Sequence, residues 1–145
     1  MTESGTLVAN PDAANADERF VAPDLVARDP AGKPRLIGGR CRACAQLSFP
    51  RAAVCPGCFS EDIDAVYLAE EGTLYSYSVV HQAPKGWAVP YALGYVDLAD
   101  EVRVLAHLDV PADKLAIAMT MRLGIGVVGA DASGAPLLSY TFTSA

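Results

Sequence analysis

Apolar and polar positions along this chain change over in short bursts, not at helical spacing. The runs AVYLAE (65–70), GTLYSYSVVHQ (72–82), YALGYVDLA (91–99), VRVLAHLDV (102–110), MTMRLGIGVVGA (119–130) and PLLSYTF (136–142) are short and β-rich. Turn signals separate them: Glu71-Gly72, Ala83-Pro84-Lys85-Gly86, Asp100-Glu101 and Ala132-Ser133-Gly134. Strands of this length and spacing predict a small antiparallel barrel. Upstream, RLIGGRC reads as a short strand, and PADKLAIAM (111–119) offers one helical turn. RFVAPDLVAR (19–28) predicts a short helix with Pro23 near its first turn, followed by a turn cluster, DPAGKP (29–34). Residues 1–18 are small, polar and acidic without a period, and predict a disordered tail.

One segment breaks the pattern. In CRACAQLSFPRAAVCPGC (41–58), two Cys-x-x-Cys pairs use every cysteine of the chain: Cys41, Cys44, Cys55 and Cys58. Each pair suits a tight knuckle that aims two sulfurs inward, and the spacer between them can carry a hairpin that returns the second knuckle. Four thiolates make a closed zinc site, which has no open position to activate water. Such a site replaces a core that the segment is too short to build. The same four ligands also suit a rubredoxin-like iron centre, and a thioredoxin-like redox role is a weaker alternative because the pairs come as a matched set. With all four thiols committed, no free cysteine is left as a nucleophile.

Composition narrows the rest. The 145 residues carry a net charge of -6 with a 52% apolar share, enough for a core and poorly suited to general nucleic-acid or anionic-membrane binding. No run approaches the ~20 apolar residues of a membrane span, and MTESGTLVANPDAANADERF lacks the features of a secretory signal. The chain is therefore expected to be cytoplasmic, where thiols stay reduced. Charge is unevenly placed. Residues 28–58 hold Arg28, Lys33, Arg35, Arg40, Arg42 and Arg51 against Asp29 alone. Two readings of this basic island stand side by side: a soluble surface for the ribbon, or a contact for phosphate or an acidic partner.

Other chemistry is sparse. His81 and His107 are the near-neutral acid–base groups. His107 sits in an alternating strand and reads as structural. His81 precedes a loop with Lys85, Trp87 and Tyr91, where a cation and two aromatics can grip a ligand or seat on a partner; the alternative is a hairpin whose Trp caps the barrel. LGIGVVGA (123–130) lacks a following basic residue, so its glycines read as barrel kinks, not as a phosphate loop. Tyr75, Tyr77 and Tyr95 fall at alternate strand positions, which suits base stacking or barrel packing, and the acidic balance favours packing.

The order LIGGRCRACAQLSFPRAAVCPGC, GTLYSYSVVHQAP, PYALGYVDL, EVRVLAHL and PLLSYTF, from Leu36 to Phe142, resembles a family that joins a rubredoxin-like zinc ribbon to an OB-fold and associates with acyl-CoA enzymes. The resemblance implies a mainly β protein with a zinc ribbon (36–62) and an OB-fold barrel (63–145), preceded by the tail (1–18) and the short helix and turn (19–35) expected from the residues themselves. It implies structural zinc on Cys41, Cys44, Cys55 and Cys58. It also implies a non-catalytic small subunit, most often of a thiolase that cleaves a β-keto acyl-CoA, alternatively of a lipid-transfer-type aldolase or a MaoC-type hydratase. The partner would carry the catalytic residues, and a CoA thioester would be the shared ligand. His81, Lys85, Trp87 and Tyr91, with Arg40, Arg42 and Arg51, are the expected acyl-CoA or partner contacts. One departure is visible: Ile117-Ala118-Met119 stands where such proteins often have Ile-Gly-Met, which puts the turn there in doubt. Two readings from other classes remain, an OB-fold module for single-stranded nucleic acid and a stand-alone iron protein.

Overall fold

The computed structural model describes residues 19–145 and the strand placement of Thr6–Leu7. The element order is β1 (Thr6–Leu7), β2 (Val26–Arg28), β3 (Pro34–Cys41), β4 (Leu47–Ser48), β5 (Ile63–Tyr67), β6 (Glu71–Val80), β7 (Tyr91–Leu98), β8 (Arg103–Leu108), a 3-10 turn (Ala112–Lys114), β9 (Thr120–Ala130) and β10 (Pro136–Ser144). The expected tail, 1–18, otherwise lies outside the described residues.

Two sheets form. The first runs β1-β5-β3-β2, with β4 added on β3, and carries the cysteines. The second closes as β10-β8-β7-β6-β9. Its period-2 patterning is the reason: Ala92, Gly94, Val96 and Leu98 of β7 and Val104, Ala106 and Leu108 of β8 face inward while their neighbours face out. A register shift between Leu74 and Ser76 bends β6, which lets one strand pair with β7 along most of its length and with β9 at its start. β8 and β10 complete the ring through a short parallel contact, Thr141 with His107 and Phe142 with Leu108.

The six expected β runs are all strands, but their grouping differs in one place. β5, expected as the first barrel strand, pairs with β3 from Ile37↔Tyr67 to Cys41↔Ile63. The expected helix at 19–28 is absent. Phe20 bridges Leu138, a turn follows, and Val26–Arg28 pair with Leu36–Pro34. The hairpin wins because DPAGKP closes it well: Asp29 Oδ1 accepts the Ala31 and Lys33 N–H groups at 2.9 and 3.0 Å, and Gly32 takes φ 83°. The helical turn expected within 111–119 is the 3-10 turn.

Ribbon and barrel share one core. Leu36, Val66 and Leu68 cluster with Leu74, Val96, Val104, Met121 and Phe142. Each of these large side chains contributes about 1.5–3 kcal/mol by burial. Phe49 meets Tyr140 edge-on at 5.7 Å, a second tie between the two parts. Gly38-Gly39 in β3 permits the close approach of its neighbours: a Cβ on Gly38 would lie 2.6 Å from the Ser48 carbonyl oxygen, and one on Gly39 2.6 Å from Ile63 Cγ2. No helix among the described residues is long and apolar enough to cross a membrane.

Candidate metal centre and barrel loop

The two Cys-x-x-Cys segments fold into matching knuckles. In the first, the Ala45 N–H donates to the Cys41 carbonyl at 2.8 Å and the Cys41 N–H to the Gln46 carbonyl at 3.0 Å. In the second, the Phe59 N–H donates to the Cys55 carbonyl at 2.9 Å and the Cys55 N–H to the Ser60 carbonyl at 2.8 Å. Each knuckle turns on one left-handed residue, Ala45 at φ 68° and Phe59 at φ 66°. The first knuckle is the β3–β4 hairpin turn. The spacer then crosses to β5, where Arg51 Nη2 donates to the Ile63 carbonyl at 2.7 Å and anchors it.

All four sulfurs lie within 4.8 Å of one another. Cys41 and Cys58 Sγ are 3.5 Å apart, as are Cys44 and Cys55 Sγ. A tetrahedral ion with Zn–S bonds of about 2.3 Å sets its sulfurs about 3.8 Å apart, so the donor set fits zinc. Backbone amides prepare the leading cysteines as thiolates. The Cys44 N–H, helped by Ala43, lowers the Cys41 thiol to about 6 against the opposing effect of burial. The Cys58 and Gly57 N–H groups lower Cys55 in the same way. The trailing cysteines are shifted the opposite way. The Ser60 N–H pulls Cys58 down, but Cys41, burial and the other thiols push it up to about 12. The Gln46 N–H favours the Cys44 thiolate, yet Cys55 and burial raise it. Cys41 and Cys55 are buried and Cys44 and Cys58 exposed, so the centre sits at the ribbon surface. Zinc bound there would cross-link two loops and release the remaining thiol protons.

The second candidate site is the loop after β6. His81 and Lys85 are exposed, while Trp87 and Tyr91 are half-buried. The structure joins the last two to His107, which the sequence leaves apart from them. Trp87 stacks on His107 at 5.5 Å and 10°, and Tyr91 lies 4.5 Å from the same imidazole. The loop is sewn to β9, with the Ala88 N–H donating to the Val128 carbonyl at 3.0 Å and the Ala130 N–H to the Gly86 carbonyl at 2.9 Å. Trp87 therefore covers the barrel's outer wall. His107 Nε2 and Thr141 Oγ1, on paired strands, are buried there without a hydrogen-bond partner among the described residues. Burial holds the His107 imidazolium below its ordinary range. On the far side of the loop opens a cleft of about 740 Å³, lined by Phe20, Val21, Lys85, Trp87, Val128 and Asp131 among others. Only Lys85 and Trp87 of these were visible as candidates in the sequence.

The basic island is largely tied down. Arg35 pairs with Asp29 and stacks on Tyr67, Arg42 pairs with Asp64 at 2.8 Å, and Arg51 holds the ribbon. Arg40 and Lys85 have no side-chain partner among the described residues. Tyr75, Tyr77 and Tyr95 are exposed outside the barrel, not packed within it as the acidic balance suggested, and Arg103 lies 3.6 Å over the Tyr75 ring. Among the described residues, no hydrogen bond joins either histidine to a hydroxyl, thiol or carboxylate, so no nucleophile–base pair is assembled here. Ala118 takes φ 75° and donates its N–H to the Leu74 carbonyl at 2.8 Å. Ala118 thus holds, at some strain, a left-handed conformation that suits glycine better.

Comparison with known proteins follows the same division. Residues 28–64 match the model described as "ChsH2, rubredoxin-like zinc ribbon domain", and residues 65–126 match "ChsH2, C-terminal OB-fold domain". The chain is 36% identical over 127 residues to "Benzoylsuccinyl-CoA thiolase subunit BbsA" of Thauera aromatica, covering 87% of this chain and 88% of that one. It is 35% identical over 128 residues to the protein of the same name in Geobacter metallireducens, covering 87% of this chain and 86% of that one. A solved structure titled "Ltp2-ChsH2(DUF35) aldolase" superposes with a TM-score of 0.63 at 33% identity, covering 76% of this chain and 84% of that one. The chain belongs to the ChsH2-type (DUF35) family of zinc-ribbon and OB-fold proteins.

Proposed function

We propose that this chain is a non-catalytic subunit of an acyl-CoA-processing complex, with a thiolase-type enzyme as its partner. The observation that carries this reading is the identity to a named thiolase subunit across both ribbon and barrel. The chemistry agrees. A closed four-cysteine centre is scaffolding, and among the described residues neither histidine engages a nucleophile. The partner's residues would then perform the thiolytic cleavage of a β-keto acyl-CoA. Structural zinc holds the ribbon in place, and iron on the same ligands is the less favoured alternative. The loop from His81 to Tyr91 and its cleft are the surface we assign to partner or acyl-CoA contact, with Lys85 its cation; Arg40, on β3 of the ribbon, is a separate candidate for CoA phosphate. Arg42 and Arg51 would take part only by sharing their present contacts. A second reading, an aldolase partner, is favoured by the likeness to the chain in the aldolase complex.

The test is co-purification of the tagged chain from its native cells, followed by assay of the complex for thiolytic and for retro-aldol cleavage of acyl-CoA thioesters. Thiolase activity in a stoichiometric complex supports the first reading, and retro-aldol activity the second. A chain that purifies alone and colourless, with no such partner, overturns both.

A further inference from the structure

Phe59 contributes little to its own fold. Its backbone sits at φ 66°, where any Cβ is disfavoured and glycine is preferred. Its ring is 78% exposed, more than any other large apolar side chain among the described residues. The equivalent residue of the first knuckle, at φ 68°, is the much smaller Ala45. Trp87 has His107 and Tyr75 has Arg103 as companions, whereas the Phe59 ring, the more exposed, has none among the described residues.

The surroundings suit recognition. Phe59 follows the metal ligand Cys58 directly, and its N–H is held by the Cys55 carbonyl, so the ring projects from a rigid base. Val54, 45% exposed, stands at the other end of the same loop. Glu61 and Asp62 come next, both exposed and without an ion pair among the described residues. A rigid aromatic beside unpaired charge matches the anchor-and-rim arrangement of binding hot spots.

We propose that Phe59 is an anchor that inserts into an apolar pocket, rimmed by arginine or lysine, on the catalytic subunit. This rests on the accessory-subunit reading above. Charge selects the occupant. A second copy of this chain would set Glu61 and Asp62 against identical carboxylates. A basic rim on a catalytic partner does not meet that obstacle.

The experiment titrates the purified catalytic subunit, recovered with the wild-type chain and identified by its thioester-cleaving activity, with wild type, Phe59→Gly, Phe59→Leu and the double variant Glu61→Gln/Asp62→Asn. Phe59→Gly is expected to weaken association by at least about tenfold. It should keep its zinc and melt at the same or a higher temperature, because glycine suits this backbone. Phe59→Leu should lose less affinity, and the double variant should flatten the salt dependence of binding. The inference is overturned if Phe59→Gly binds as tightly as wild type, if it sheds zinc, or if its main effect is to abolish self-association of the chain alone. Failure of the wild-type chain to bind any catalytic subunit would instead remove the accessory-subunit reading beneath it.

Discussion

Replacing Gly129 with alanine is expected to lift the 84–90 loop off the barrel. A Cβ at this position would overlap the Gly86 carbonyl oxygen and lie 3.0 Å from its carbon and 3.2 Å from the Trp87 Cα. These are backbone atoms, so no rotamer change relieves the clash. Moving the loop breaks the hydrogen bonds from Ala88 to Val128 and from Ala130 to Gly86, at 3.0 and 2.9 Å. Each contributes about 1 kcal/mol. The Trp87–His107 stack at 5.5 Å is lost with them, a further ~0.5–1.5 kcal/mol. The sum is about 3 kcal/mol, which lowers the melting temperature of a chain this size by roughly 6–12 °C. Trp87 is the single tryptophan, so its emission reports the event directly: a red shift in the folded variant, alongside a lower melting temperature. Wild-type emission and an unchanged melting temperature in Gly129→Ala would refute the packing described for this loop.

Three further outcomes are expected. Cys55→Ser removes a buried ligand. It should purify with substoichiometric zinc and an unfolded ribbon, read by metal analysis and circular dichroism, whereas full metal content would sink the structural-zinc reading. His107 is held below its reference value of 6.5 by burial, so the unfolded chain takes up its proton first. The stability that the neutral ring provides is complete above the unfolded value and is lost as pH falls through 6.5 towards the folded value. Urea midpoints should therefore fall on acidification, and His107→Phe should remove that part of the fall; an equal slope in both proteins would contradict it. Ala118→Gly, at a residue with φ 75°, should raise stability by up to about 1 kcal/mol, visible as a higher urea midpoint with unchanged slope.

How much of this could be read from the sequence differs by element. The barrel strands were legible because alternation such as Ala92, Gly94, Val96, Leu98 is local and strict. The four-cysteine cluster was legible because paired Cys-x-x-Cys spacing is local in the sequence. β5 was grouped with the barrel because its partner, β3, is set by long-range register, which no local pattern encodes. The short helix at 19–28 was read from RFVAPDLVAR with Pro23 near its first turn, whereas the tight turn at Asp29–Gly32 closes a hairpin. The Trp87–His107–Tyr91 stack joins β8 to a loop between β6 and β7, and the sequence offered only the aromatic content of that loop. Gly129 looked like a kink in a strand, and its role is to admit the backbone of another segment. Phe59 was hidden because the left-handed conformation of the residue after Cys58 appears only in the folded knuckle.

The central claim is that this chain carries no catalysis of its own and completes an enzyme that does. The most direct test is reconstitution: thioester cleavage measured for the purified chain alone, for the catalytic subunit alone, and for the two mixed at increasing ratio. The claim requires no turnover from this chain, little from the partner alone, and activity that rises to saturation at a fixed stoichiometry. Turnover by the isolated chain, or a partner fully active without it, would contradict it.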